Sequence, residues 1–223
     1  MNRRNHMRYW GMLPVTFAVP WWGACSQGQP LKVAIHPWVG YESLELAQQF
    51  KWLPDGVELV RTEELSSSGA ALQAGKVDAA CLTLDEVLRL RAEGTPVTVG
   101  LVFDVSAGAD ALLVRPGMDR LADLAGKRIG VEPGPLGSLM LGSVLKAAGL
   151  TRSSVRLVDM SPERQLAAWR SHEVDALVCY EPTATLLQRE GAQRLFDSRQ
   201  MPDTILDVLA VRMDRIPGRE SHL

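Results

Sequence analysis

Six carboxylates, Glu42, Glu86, Asp104, Asp110, Glu132 and Glu181, each follow a short apolar run, in stretches that also hold Trp38, Tyr41, Thr83, Ser106 and Tyr180. Gathered at strand ends, side chains of these types recognise a guest rather than react with it. An isolated buried carboxylate is costly unless paired. With no Lys or Arg expected at the same strand ends, the set favours a cationic or zwitterionic small molecule over a bare oxyanion. In Trp38-Val-Gly-Tyr-Glu42 the two rings can sandwich a flat or methylated group while Glu42 pairs with a positive charge. Plainer roles stand beside these. Trp38 can roof a core, Thr83 can cap a helix, Glu86 can complement a helix dipole, and the aspartates between 104 and 110 can bond turn amides. Glu132-Pro-Gly-Pro-Leu-Gly-Ser138 opens a helix whose free N–H groups suit an acid group, or is an ordinary turn with Ser138 as its cap.

Arrangements that make or break bonds are absent from the sequence. There is no Gly-x-Ser-x-Gly elbow, no His-Glu-x-x-His and no Walker loop. The four histidines, His6, His36, His172 and His222, are far apart; His36 at a strand end reads as a chain-positioning residue. Cys81 and Cys179 lie within apolar runs with no CxxC spacing, which suggests buried free thiols and no metal site. No cofactor is expected.

The elements that must position these residues occur twice. Lys32-Val-Ala-Ile-His-Pro37 aligns with Arg128-Ile-Gly-Val-Glu-Pro133, Val57-Glu-Leu-Val60 with Val155-Arg-Leu-Val158, Val77-Asp-Ala79 with Val174-Asp-Ala176, Phe103-Asp104 with Phe196-Asp197, and Val114-Arg115 with Val211-Arg212, at offsets of 93 to 98 residues. Helix-period segments separate them at 43–50, 69–74, 138–148 and 162–170. The repeat is too long for a solenoid. Each half reads as strand–helix–strand–helix–strand, which requires right-handed crossovers and a largely parallel sheet. The expected architecture is α/β with two lobes. Residues 30–103 form lobe 1, 104–114 a hinge, 115–195 lobe 2, and 196–223 a return crossing to lobe 1. Ligands bind beyond the carboxyl ends of strands in such sheets, so the site is expected in the cleft between the lobes, where closure traps a small molecule.

Composition agrees with a folded α/β body: 223 residues, 46% hydrophobic and 22% charged, net −2. Arg3, Arg4 and Arg8 are the only charged residues before Cys25. Without them the chain carries 21 basic against 26 acidic side chains, a net of −5, which argues against nucleic acid as partner. Those arginines precede an apolar stretch, Tyr9 to Trp22, then Gly23-Ala24-Cys25. This is the order of an export signal, and residues 1–25 are expected to be one. The Gly-Ala-Cys ending resembles the lipobox of bacterial lipoproteins, with Cys25 as the acylated residue. Trp22, Pro14 and Pro20 depart from that pattern.

Trp38-Val-Gly-Tyr-Glu42, Leu82-Thr-Leu-Asp-Glu-Val87, Asp104-Val-Ser-Ala-Gly-Ala-Asp110, Gly130-Val-Glu-Pro-Gly134, Val174-Asp-Ala176 with Tyr180-Glu-Pro182, and Asp207-Val-Leu209 occur in that order from about Leu31 to Arg215. The series resembles the substrate-binding proteins of NitT/TauT-type ABC importers, the group of nitrate, taurine, alkanesulfonate and thiamine-precursor binders. The resemblance implies a type II periplasmic-binding fold, no enzymatic activity, and delivery of a captured solute to an ABC permease in the inner membrane. It places the protein in the periplasm or on the outer face of the cell membrane, held there only by a lipid anchor. The ligand-binding residues carried over are Trp38, Tyr41, Glu42, Thr83, Asp104, Ser106, Glu132, Tyr180 and Glu181. Members of the group usually continue for roughly 100 residues past the second crossing, so this chain is expected to leave an apolar face of lobe 1 uncovered. Two other functions fit the same fold: a small-molecule enzyme of a biosynthetic pathway, against which the export signal speaks, and a non-transporting sensor domain.

Overall fold

A computed structural model describes residues 29–216; the expected export signal and Cys25 lie outside them. Ten strands and six helices alternate along the chain. The first group is β1 (Leu31–Ile35), α1 (Glu42–Gln49), β2 (Val57–Arg61), α2 (Leu65–Gln73), β3 (Ala79–Thr83), α3 (Leu84–Ala92) and β4 (Val97–Val105). The second is β5 (Asp110–Val114), β6 (Arg128–Val131), α4 (Pro135–Ala148), β7 (Arg156–Asp159), α5 (Pro162–Arg170), β8 (Ala176–Tyr180), α6 (Thr183–Arg189), β9 (Gln193–Asp197) and β10 (Leu206–Arg212). They form two five-stranded sheets, ordered β2-β1-β3-β10-β4 and β7-β6-β8-β5-β9. Replacing β1, β2, β3, β4 and β10 by β6, β7, β8, β9 and β5 converts one order into the other, so the internal repeat is a repeat of topology.

Composition places each strand. Ala-Ala-Cys-Leu-Thr of β3 and Asp-Ala-Leu-Leu-Val of β5 are buried at every position, as central strands covered on both faces must be. Val-Glu-Leu-Val-Arg of β2 carries its charges on an edge. In the first sheet α2 and α3 cover one face, with Leu65, Leu72, Val87 and Leu90 against Ala34, Ala80, Leu82 and Val208. In the second, Met140, Leu141, Val144 and Leu145 of α4 pack on Leu112, Ile129, Val131 and Phe196, while α5 and α6 bring Trp169 and Leu187 to Leu113, Leu177 and Cys179. Each such leucine or isoleucine stabilises the fold by about 1.5–3 kcal/mol through the surface it removes from water. Cys81 and Cys179 are buried free thiols, one in each sheet.

Neither sheet is as uniformly parallel as the strand–helix pattern predicts. β1 pairs parallel with β2 and β3, and β6 with β7 and β8. β10, however, runs antiparallel to both β3 and β4, and β5 antiparallel to both β8 and β9. The reversed strands are the ones that arrive from the other half. β4 leaves the first sheet at its carboxyl edge, so β5 must enter the second sheet from that side; β9 and β10 repeat this in the return direction. The connecting segments are short, 106–109 and 198–205. The stretch 104–114 therefore divides: Asp104 and Val105 end β4, and Asp110–Val114 is a strand of the second sheet.

The repeated Val-Asp-Ala has a physical basis. The Asp78 carboxylate accepts from the Lys32 amide at 3.0 Å, and the Asp175 carboxylate from the Arg128 amide at 2.9 Å. The main chain repeats the contact, Asp78 N–H to Lys32 O and Asp175 N–H to Arg128 O, both 2.9 Å. Each aspartate clips the start of a first strand to the start of a third. The amides of Arg212 and Arg115 close the pattern by donating to the carbonyls of Asp78 and Asp175.

Candidate functional site

The carboxyl ends of β1, β3 and β8 and the cleft-side ends of β5 and β10 converge between the sheets. They enclose a cavity lined by His36, Trp38, Leu65, Thr83 and Asp207 from the first lobe, Asp110, Leu136 and Tyr180 from the second, and Ile205 from the connection between them. It is small and partly open, with room for about one or two waters. Across it the Trp38 and Tyr180 rings meet edge to face, 5.5 Å between centroids, a favoured aromatic geometry.

On the cavity wall Asp207 organises the first lobe. Trp38 Nε1 donates to Asp207 Oδ2 at 3.0 Å, and the Tyr41 hydroxyl to Oδ1 at 2.9 Å. Asp104 is the cross-strand neighbour of Asp207 on β4. Burial and the Asp104 charge push the Asp207 carboxyl up to about 8. Tyr41 is itself buried, its ring edge-on to His36 and Phe103, and burial and Asp207 raise its hydroxyl far above the ordinary range. Burial lowers His36 to about 4, so at neutral pH it is uncharged, with Nδ1 3.3 Å from the Ser68 hydroxyl.

The two connecting segments are tied together at the cavity's edge. The Ser106 hydroxyl donates to Asp110 Oδ2 at 2.6 Å and lies 2.8 Å from that of Ser198, which accepts from the Gly108 amide at 2.6 Å. Asp110 is buried, and that burial, with the charges of Asp85 and Asp104, lifts it to about 6. Thr83 precedes α3 as the sequence suggests, but its side chain caps nothing. It is 4% exposed, and its hydroxyl is turned to the buried Asp85 carboxylate.

Of the nine residues expected to bind ligand, Trp38, Thr83 and Tyr180 line the cavity. Tyr41, Asp104 and Ser106 stand one step behind, against Asp207 and Asp110. Glu42 is exposed in the first turn of α1 and lines a groove of the first lobe with Glu45 and Arg61, which shares His36 and Trp38 with the cavity. Glu132 faces a second interlobe groove, shared with Glu86, Arg89 and the start of α4; burial and the charges of Glu64, Glu163 and Glu86 raise it to about 7. Glu181 turns into its own lobe, accepting from Arg194 Nη2 at 3.0 Å and the Thr185 amide at 2.9 Å. Although burial opposes it, these partners hold its carboxyl below the usual range. Glu86 is likewise neutralised by Arg89, 2.6 Å away. The strand ends are therefore not free of arginine, as Arg89 and Arg194 each cancel one of the six acids. Ser138 is not the helix cap either: α4 begins at Pro135 with Gly134 before it.

Sequence reasoning missed Asp207 as a site residue, and with it Ile205, Leu65 and Leu136. The signal for Asp207 was a single acid inside an otherwise apolar strand, Leu206-Asp-Val-Leu-Ala-Val211.

Two topologically identical α/β lobes, joined by two crossings and sharing a cavity at their facing strand ends, define the two-lobed architecture of periplasmic binding proteins. The profile of the NMT1/THI5-like family matches residues 56–205, and the chain belongs to that family. It is 29% identical over 147 residues to the taurine-binding periplasmic protein of Escherichia coli (strain K12), covering 65% of this chain and 46% of that protein. The chain thus spans about half the length of this relative. Among solved structures, the alkanesulfonate-binding protein SsuA of Xanthomonas axonopodis pv. citri, bound to MOPS, superposes with a TM-score of 0.74 at 22% identity, over 87% of this chain and 69% of that one. The periplasmic nitrate-binding protein NrtA of Synechocystis PCC 6803 gives 0.67 at 14% identity, over 85% and 57%.

Proposed function

We propose that this protein is an extracytoplasmic solute-binding protein of an ABC importer. It captures a small organic molecule between its lobes and presents it to a permease in the inner membrane, without chemical change to the solute. The observation that carries this reading is the shared cavity: both lobes contribute strand-end residues to it, and Trp38 of one closes against Tyr180 of the other. Family membership and the taurine-, alkanesulfonate- and nitrate-binding relatives support it. Residues 1–25 serve as the export signal, with Cys25 as the lipid attachment point that keeps the protein at the outer face of the membrane.

Capture requires the lobes to part and close again, because the cavity as it stands has no room for a solute of several heavy atoms. The two short connections are the places where backbone angles change. The Ser106–Ser198–Gly108 hydrogen bonds make them move together, giving a hinge of two coupled strands. Trp38 reports on closure, since its indole N–H is anchored to one lobe and its ring abuts the other.

The test is a screen of small amines, amino acids, pyrimidines and sulfonates by tryptophan fluorescence, with native mass spectrometry of the freshly purified chain for a retained solute. A saturable response that disappears in Trp38→Phe supports capture in the cleft. Absence of any saturable response and of any retained mass would refute it.

A further inference from the structure

His36 follows β1 on the wall of the cavity and also lines the adjoining groove of the first lobe. Its ring is neutral at physiological pH, because burial lowers it to about 4. A neutral imidazole carries one proton, so one ring nitrogen donates and the other accepts. Which does which follows from the hydrogen bonds behind the ring.

Three contacts run in series from the ring into the first lobe. His36 Nδ1 lies 3.3 Å from the Ser68 hydroxyl, Ser68 Oγ lies 2.7 Å from Thr62 Oγ1, and Thr62 Oγ1 lies 3.3 Å from the Ile35 carbonyl oxygen. The last partner has no proton, so the Thr62 hydroxyl donates to it. A hydroxyl has one proton to give. Thr62 therefore accepts from Ser68, and Ser68, its own proton spent, accepts from His36 Nδ1–H. Running the relay the other way would keep two of the bonds and forfeit the third. Ser68 is fully buried in α2, so it has no solvent to replace a lost partner.

A proton on Nδ1 leaves Nε2 with a bare lone pair. The two ring nitrogens point in divergent directions, so tying Nδ1 to α2 turns Nε2 away from it. Among the described residues no group donates to Nε2. The donors beside it on the first lobe are committed elsewhere: the Tyr41 hydroxyl and Trp38 Nε1 both go to Asp207, and Thr83 turns to Asp85. The partner for Nε2 comes from the cleft.

Resting on the solute-capturing reading above, we propose that His36 is a specificity-determining residue: the Thr62–Ser68 relay fixes its proton on Nδ1, and Nε2 accepts from an N–H or O–H of the captured solute. A solute that presents only acceptors at this point sets lone pair against lone pair and is disfavoured.

The experiment is ring-nitrogen NMR on the full chain, isotope-labelled at histidine, with His36 assigned by the signals lost in His36→Gln. In the parent at neutral pH, Nδ1 is expected to carry the proton and Nε2 none. Ser68→Ala removes the acceptor, and Thr62→Val, which does not touch His36, frees the Ser68 proton to turn toward the ring. Each is expected to move the proton to Nε2 with far-UV circular dichroism unchanged. Two uncharged amides then probe the wall, N-methylacetamide with an N–H and N,N-dimethylacetamide without one. The first is expected to shift the Nε2 resonance saturably and to bind about fivefold tighter than the second, the worth of one hydrogen bond; Ser68→Ala is expected to abolish the advantage. A proton on Nε2 of the parent overturns the proposal, as does a tautomer that neither variant moves, or an equal response to both amides, or none to either. The tautomer is read without solute, so these failures are distinct from that of the receptor reading, which falls if the solute screen gives no saturable response and no retained mass.

Discussion

Replacing Asp207 by Asn separates the charge of this residue from its shape. In the folded protein its carboxyl is displaced from an ordinary 3.8 to about 8 by burial and by Asp104, with a further contribution from Asp110. Below about pH 4 the group is protonated in both folded and unfolded chains. Between there and pH 8 the folded form retains a proton that the unfolded form has lost, so stability falls as pH rises, and above 8 the loss is complete. At about 1.4 kcal/mol per pH unit, a displacement of about 4 units amounts to about 6 kcal/mol. The asparagine does not ionise and escapes it. Its cost is one hydrogen bond, because its amide oxygen can accept from Trp38 or Tyr41 but its nitrogen can accept from neither; an unsatisfied donor there costs about 1–3 kcal/mol. The variant is therefore expected to gain on the parent steadily from pH 5 upward and to melt above it at pH 9. With about 2–4 °C per kcal/mol for a chain of this size, the difference between the two swings by about 10 °C or more. Scanning calorimetry of both proteins from pH 5 to 9 measures it, and titrations of groups remote from Asp207 cancel in the difference. A constant gap across that range would refute the account of Asp207 as a proton-holding carboxyl.

Three further outcomes follow from close contacts. A Cβ at residue 137 would lie 2.1 Å from the Glu132 carbonyl oxygen, whereas at residue 142 it would meet nothing. Gly137→Ala is expected to cost at least about 1–3 kcal/mol and Gly142→Ala to stabilise by about 0.5–1 kcal/mol, both read from urea midpoints. A Cβ at residue 40 would lie 2.2 Å from Asp104 Oδ2 and 2.7 Å from Trp38 Nε1; Gly40→Ala should dislodge the indole from Asp207 and shift Trp38 emission, with far-UV circular dichroism unchanged. Arg194 donates to the Gly108 carbonyl and, at 3.0 Å each, to Glu181 and Gln188. Arg194→Ala should cost about 1–3 kcal/mol and speed amide hydrogen exchange in residues 106–109 more than elsewhere, whereas uniform acceleration would contradict its role in bracing the connection.

What could be read from sequence was whatever the chain repeats or states locally. The duplicated Val-Asp-Ala was visible because Asp78 and Asp175 do the same backbone work in the same place, and α5 begins and ends where Pro162 and Arg170 suggest. The cavity was legible only in part. Trp38 and Tyr180 follow strands that end at the cleft, so their placement required nothing beyond strand direction. Asp207 meets Trp38 and Tyr41 across 169 and 166 residues, a separation no local pattern encodes. Glu86 was misjudged for a different reason. Its partner Arg89 lies three residues on along α3, a helix spacing that by itself foretells a neutralised acid. Glu181 needed the β8–β9 geometry before Arg194 could be seen beside it.

The order of strands also dictates an order in time. All five strands of the second sheet lie between Asp110 and Asp197, so that half can be completed as soon as this stretch is available. The first sheet cannot. Among the described strands its edge strand β4 is hydrogen-bonded to β10 alone, and β10 follows the whole of the second sheet in the chain. Without Leu206–Arg212, Val97–Val105 has no strand partner and the first sheet is incomplete.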